Sequence, residues 1–258
     1  MSGLTKHQSN LRELFEEKGY VVLRRMFSDE EVAEWQSESD RLLGLSDIIK
    51  EENLRIGFRS HPNGEKYVEK IDPLVDISPV FQTLISDERI IAPLREIYRD
   101  EPVLFKDKLI FKMPGVSGYT MHQDASWWQG FPFESLISVM VAIDGADRAN
   151  GGLELFWGYH DRLLSTPGEL RNMSAEEIAL IDESRGELVE TNPGDVIMFH
   201  SLAPHRSGQN LSDRSRRQLY LTYNAGQHGN LYDAHYEHYR EYVQRGWSEE
   251  KKRTSYFK

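Results

Sequence analysis

Asn192-Pro193-Gly194-Asp195-Val196-Ile197-Met198-Phe199-His200-Ser201-Leu202-Ala203-Pro204-His205-Arg206-Ser207-Gly208 reads as a tight turn, a short apolar strand and a second turn that presents a histidine. Pro-Gly bends the chain, because proline presets one dihedral and glycine accepts the left-handed one. The β-branched and aromatic run behind it suits a buried strand. Working outward, the same rhythm recurs at 103–112, 119–122, 136–143, 153–156, 195–199 and 218–223, with Asn150-Gly151-Gly152 as another turn. Short strands punctuated in this way predict an antiparallel barrel or jelly roll from residue 101 to 226.

The first hundred residues read as a helical scaffold with short strands. Leu11, Leu14 and Phe15 form a stripe that Gly19 ends, before the strand-like Tyr20-Val21-Val22-Leu23. Ser28 and Glu31 make a capping box for a second helix whose apolar positions are Val32, Trp35, Leu42 and Leu43. A helical pair follows Ser78-Pro79. Residues 161–186 read as an insertion in the jelly roll, either a surface loop or a lid, and 227–258 as a helical tail. With no linker or repeat, the 258 residues are expected to form one domain.

Composition narrows the function. The net charge of −11 disfavours a nucleic-acid or anionic-membrane partner, since phosphates call for a cationic surface. No cysteine is present, so a bound metal must take His, Asp or Glu. Residues 1–8 lack a secretory apolar core and the longest apolar runs are too short to span a bilayer, which predicts a cytoplasmic protein.

His122-Gln123-Asp124 supplies such ligands. On an extended segment, side chains two apart point the same way, so this pair and one remote histidine can occupy one face of a metal octahedron, as in non-haem iron(II) sites. The remote histidine is either His200, at the end of an apolar strand, or His205, at the turn. Arg216 lies eleven residues after His205 and can grip a carboxylate with two parallel hydrogen bonds; Arg214 and Arg217 compete for that role.

Together these pieces resemble the phytanoyl-CoA dioxygenase family, in the branch that includes ectoine hydroxylase. The resemblance runs from about Leu11 to Ala225 and rests on Gly19 to Leu23, His122-Gln123-Asp124, Asn150-Gly151-Gly152, Pro193-Gly194-Asp195, and His205-Arg206-Ser207-Gly208-Gln209-Asn210 with Arg216. It implies a mainly β fold with flanking helices around a double-stranded β-helix core, a cupin-like jelly roll. It also implies an Fe(II)- and 2-oxoglutarate-dependent dioxygenase using O2, with iron on His122, Asp124 and His205. His200 is then structural. Arg216 and Ser207 would bind the distal carboxylate of 2-oxoglutarate, with Tyr119 and Gln123 lining that site. Asp124 favours hydroxylation over halogenation, because related halogenases carry a small residue there.

For the substrate, Lys106, Lys108 and Lys112 alternate along one strand and so share a face, which is either a cationic patch inside the barrel or an outer, snorkelling row. The resemblance places Trp128 in the substrate pocket; Trp127, Tyr119 and Trp157 would complete an aromatic box. Arg206, where the family usually carries a small residue, joins the expected substrate contacts. A small zwitterion fits both features. The run from Phe105 to Gly115 and on to Ala125 also resembles bacterial organophosphonate hydroxylases, which implies 2-aminoethylphosphonate or its trimethylammonium analogue as substrate. Betaines, ectoine-like compounds, secondary metabolites and acyl-CoA are alternatives. A reading of another class is a non-catalytic cupin-like binding protein, and a second metal on His228, His235 and His238 is a further, weaker alternative.

Overall fold

In a strand, successive side chains face opposite sides of the sheet, and this alternation sorts the residues of the present fold. The computed structural model describes residues 10–258, so residues 1–8, on which the reading of the N-terminus rests, lie outside it. The strands are β1 (Tyr20–Leu23), β2 (Ile56–Ser60), β3 (Lys66–Ile71), β4 (Pro102–Lys112), β5 (Ile137–Ala142), β6 (Leu153–Phe156), β7 (Gly186–Val189), β8 (Val196–His200), β9 (His205–Ser207) and β10 (Arg216–Ala225). Seven of them form a sheet in the order β1-β8-β5-β10-β4-β3-β2, and β7-β6-β9 form a second. The named strand pairs are antiparallel.

The helices are α1 (Leu11–Lys18), α2 (Asp29–Leu43), α3 (Pro79–Leu84), α4 (Glu88–Tyr98), α5 (Ala175–Ile178), α6 (Tyr232–Val243) and α7 (Glu249–Thr254). The capping box that opens α2 is present: the Ser28 amide donates to Glu31 Oε2 at 2.8 Å and the Glu31 amide to Ser28 Oγ at 3.3 Å. Gly19 ends α1 with a φ of 80°, in the left-handed region that only glycine enters freely. No helix among the described residues is long and apolar enough to cross a membrane.

All six residues of β5 are buried, because the strand is covered on both faces. Ile137, Val139 and Val141 join the apolar core shared with α1 to α4, which includes Phe15, Trp35, Phe81 and Leu94. Met140 and Ala142 face the other way, into a second core shared with Leu153, Leu155 and Val189 of the small sheet. The result is a jelly roll with helices on the outer face of the large sheet. Register then fixes its interior: Lys106, Lys108, Ile110 and Lys112 of β4 lie opposite Thr222, Tyr220, Gln218 and Arg216 of β10, and Thr222 lies opposite Ser138 of β5.

Several sequence expectations change. Leu14 and Leu43 are 38% and 37% exposed, because only part of each helical stripe meets the core. Residues 119–122 form no ladder strand; His122 makes a lone antiparallel bridge to His205. Residues 186–189, assigned in part to the insertion, pair with β6 as β7. The rest of the insertion packs Met173 and Ile181 against Met121 and Phe156, beside the loop that carries His122.

Candidate metal centre and substrate cavity

His122 and His205 face each other across the bridge, each donating its amide to the other's carbonyl at 3.0 and 2.9 Å. This pairing brings two histidines 83 positions apart into register. Asp124 follows at the start of a 3-10 turn spanning Asp124–Trp127. One ligand atom from each of the three side chains lies within 4.8 Å of the others, the one such group among the described residues.

The ring orientations suit a metal. His122 Nδ1 sits 2.8 Å from the Thr120 carbonyl and His205 Nδ1 3.0 Å from the Ala203 carbonyl. A carbonyl only accepts, so each Nδ1 carries the proton and each Nε2 keeps its lone pair. His122 Nε2 points at Asp124 Oδ1 across 3.9 Å. Ser138 Oγ donates to Asp124 Oδ2 at 3.2 Å and also meets Thr222 Oγ1 at 3.2 Å. Burial lowers the proton affinity of both imidazoles. Burial alone would raise Asp124, but Lys108 and the two histidines outweigh it and hold the carboxylate below its ordinary range. Neutral imidazoles with an anionic carboxylate, on one face, are the donor set of non-haem iron(II).

The triad opens into a cavity of about 280 Å³ between the sheets. Arg216, 3% exposed, donates Nη1 to the Gly151 carbonyl, while its Nε is buried without a partner. Beside it, Ser207 Oγ accepts from Lys112 Nζ at 3.0 Å and from the Tyr119 amide at 3.2 Å. With both lone pairs of that hydroxyl taken, its proton is left to donate. Burial, then the neighbouring Arg216 and Arg59, pull the Lys112 ammonium down to about 7. Tyr119 lines the cavity and donates its hydroxyl to Glu69 at 2.9 Å.

The lysine face is the interior one: Lys106 and Lys108 line the cavity and Lys112 is buried. Lys106 is tied to both oxygens of buried Asp72 at 2.7 Å, and Lys70 reaches the same carboxylate at 3.3 Å. Burial outweighs Asp72 and pulls Lys106 down to about 8. Lys108 has no hydrogen bond or ion pair among the described residues; its ammonium stands 5.0 Å from the centre of the Tyr220 ring.

Other assignments from sequence need correction. Gln123 is not a cavity residue: its fully buried amide accepts from Leu164 N and donates to the carbonyls of Arg162 and Leu202 at 2.6–2.9 Å. It fastens the insertion instead. Arg206 lines the cavity, but its guanidinium is committed to Glu154 at 2.6 Å and Glu183 at 2.7 Å. Trp157 lies away from the site with Arg185 over its ring, so it contributes to no aromatic box. Trp127 and Trp128 do line the cavity, and Trp128 packs edge-on to Phe105 at 5.5 Å. His200 binds the Glu134 carbonyl and the Leu202 amide, which is a structural role.

Sequence reasoning missed Lys70, Asp72, Tyr239 and Tyr242, all of which line the cavity, and it grouped His235 and His238 with His228 as a second metal site, whereas the first two line this same cavity on α6 and the three form no ligand group among the described residues. The three-, four- and seven-residue spacing of the α6 set marks one helix face. Nothing in the chain says that this face covers a site.

Comparison with known proteins agrees with this geometry. The family model for phytanoyl-CoA dioxygenase (PhyH) matches residues 15–218. A 2-aminoethylphosphonate dioxygenase from an uncultured bacterium is 32% identical over 165 residues, which cover 64% of this chain and 62% of that protein. A methylphosphonate hydroxylase of Gimesia maris is 28% identical over 228 residues, 84% of this chain and 81% of its own. Among solved structures, EctD from S. alaskensis with 2-oxoglutarate and 5-hydroxyectoine superposes with a TM-score of 0.74 at 24% identity, covering 88% of this chain and 80% of that one.

Proposed function

The chain belongs to the phytanoyl-CoA dioxygenase family, and from that premise we propose that it is an Fe(II)- and 2-oxoglutarate-dependent dioxygenase that hydroxylates an aliphatic C–H bond of a small organophosphonate. Bound on His122, Asp124 and His205, iron(II) would supply the oxidising chemistry, with O2 and 2-oxoglutarate as co-substrates. The chain's own residues do the rest. Arg216, with its unpartnered Nε, and Ser207, with its free hydroxyl proton, are the receptor for the distal carboxylate of 2-oxoglutarate. Lys112 orients Ser207, and Ser138 orients Asp124. Trp127 and Trp128, packed with Phe105 and Leu136, give the cavity an apolar wall.

The observation that carries the substrate assignment is the surplus of cations away from Arg216. Lys70 and Lys106 share the single carboxylate of Asp72, and Lys108, whose field reaches Asp124, makes no hydrogen bond or ion pair among the described residues. A surplus of positive charge on one buried and two half-buried lysines lining a cavity calls for an anionic ligand. The two phosphonate-acting relatives support an organophosphonate such as 2-aminoethylphosphonate or its trimethylammonium analogue. Betaine-, ectoine- and acyl-CoA-type substrates are the competing classes.

The test is succinate release by Fe(II)-loaded protein with 2-oxoglutarate across phosphonates, betaines, ectoine and acyl-CoA, with Asp124→Ala as control. Stimulation by a phosphonate in the wild type alone is expected. Stimulation by another class alone would overturn the substrate. A protein that binds neither Fe(II) nor 2-oxoglutarate would be a binding module instead.

A further inference from the structure

One wall of the cavity has no part in holding the metal or the 2-oxo acid. It is a face of α6, where His235, His238, Tyr239 and Tyr242 line the space. This helix starts at Tyr232, beyond residue 218 where the family match ends. It is clamped to β4: the Tyr232 hydroxyl donates to Asp107 Oδ2 at 2.7 Å and the Tyr236 hydroxyl accepts from the Asp107 amide at 3.2 Å. The face is therefore held in place over the site.

His235 is 2% exposed, and neither of its ring nitrogens has a hydrogen-bond partner. His238 Nε2 is also buried and unpartnered. Phe105 at 4.5 Å and Tyr236 at 4.9 Å, centre to centre, pack against the His235 ring. A buried polar atom without a partner is a standing penalty, which a ligand carrying the right group relieves. The charged groups around it decide what that group is. Lys70, Lys106 and Lys108 line the same cavity, and Asp72 already accepts from Lys106, Lys70 and the Tyr236 hydroxyl. A cation would be repelled there. An oxyanion would meet imidazole N–H donors and an uncommitted ammonium.

We propose that α6 carries the substrate-selecting subsite: His235 and His238 donate N–H hydrogen bonds to an oxyanion of the substrate, whose charge is balanced by Lys108 of β4. This deepens the reading of the chain as an oxygenase of small anions and rests on it, but it names a separate receptor. Iron and 2-oxoglutarate would be held by His122, Asp124, His205, Ser207 and Arg216, and the substrate oxyanion by α6 together with Lys108.

The experiment is anaerobic calorimetry on protein loaded with Fe(II) and 2-oxoglutarate, titrated with 2-aminoethylphosphonate, methylphosphonate, 2-aminoethanesulfonate and β-alanine. At least one of these should bind the wild type. His235→Leu should weaken that binding by about tenfold or more, with 2-oxoglutarate affinity unchanged. His235→Gln keeps an N–H donor and should retain most of the affinity. His238→Leu, at a less buried position, should weaken it by about threefold or more and decides the matter if His235→Leu fails to fold. The subsite is overturned if none of the four probes binds the wild type, or if the leucine variants bind as the wild type does. If a sulfonate or carboxylate binds and responds to His235 while no phosphonate does, the subsite stands and the phosphonate reading falls. If phosphonates drive succinate release but the variants bind them normally, the reverse holds.

Discussion

Two pairs of histidines, each with one member fully buried, meet in one cavity and are treated oppositely by the chain. His122 and His205 each have Nδ1 fixed on a carbonyl two residues back, which leaves Nε2 as a lone-pair donor aimed at a shared point. His235 and His238 sit on α6 with ring nitrogens that the protein does not satisfy. The first pair is built to hold a metal, because tautomer and direction are settled before anything binds. The second is built to wait for hydrogen-bonding atoms that come with a ligand. Burial alone does not tell a structural histidine from a functional one; the partner of the second nitrogen does.

This contrast can be broken most severely at the metal end. His205→Ala or Asp124→Ala should abolish succinate release, and Fe(II) affinity should fall by more than the roughly 10- to 100-fold that loss of an outer partner costs. If His205→Ala still bound Fe(II) with wild-type affinity, as followed by metal analysis, the α6 histidines would have to be ligands and the distinction would fail. Arg216→Lys should raise the KM for 2-oxoglutarate roughly 10- to 100-fold, since an ammonium cannot reproduce the paired hydrogen bonds, while Fe(II) affinity holds. Ser138→Ala frees Asp124 Oδ2 and should lower Fe(II) affinity by about tenfold.

A smaller effect lies in proton linkage at Lys112, whose ammonium is pulled down to about 7 by burial and Arg216. Its folded pKa is depressed below the unfolded value, so stability is full above about 10.5, falls as pH drops from there towards 7 because only the unfolded chain takes up the proton, and changes no further below about 7. A dianionic ligand next to Arg216 should restore the charge. Binding of 2-oxoglutarate near pH 8 should then take up protons, seen as a binding enthalpy that varies with the buffer, and Lys112→Met should remove that dependence. An enthalpy independent of buffer in the wild type would show that Lys112 stays charged without ligand. Smallest of all, Ser28→Ala in the scaffold should cost about 1 kcal/mol in denaturant unfolding and leave the KM values unchanged.

What was legible in the chain follows physical rules that act over a few residues. The Ser28/Glu31 cap, the Gly19 stop and the apolar run of β5 were each readable because capping, backbone freedom and burial on two faces leave local signatures. The period of two along β4 placed Lys106, Lys108 and Lys112 on one face, but which face was open until β10 paired with it in register. β9, three residues long, is too short to show any period, and its place in the small sheet comes from pairing with β6. Gln123 misled for a related reason: it alternates with two metal ligands, and its three hydrogen-bond partners lie 39 to 79 positions away.

By itself the sequence determined the strand rhythm, the helical caps, the donor types available to a metal and the spacing that ties His122, Asp124, His205 and Arg216 to a known family. These depend on residue identity and short-range order, which any conformation of the chain carries. Only the tertiary structure decided that Lys106 is spent on Asp72 while Lys108 is not, that Arg206 belongs to Glu154 and Glu183, and that α6 turns two unpartnered histidines into the cavity. Whether a polar group is free or committed depends on what remote segments bring beside it, and that information exists only once the sheets and α6 have packed together.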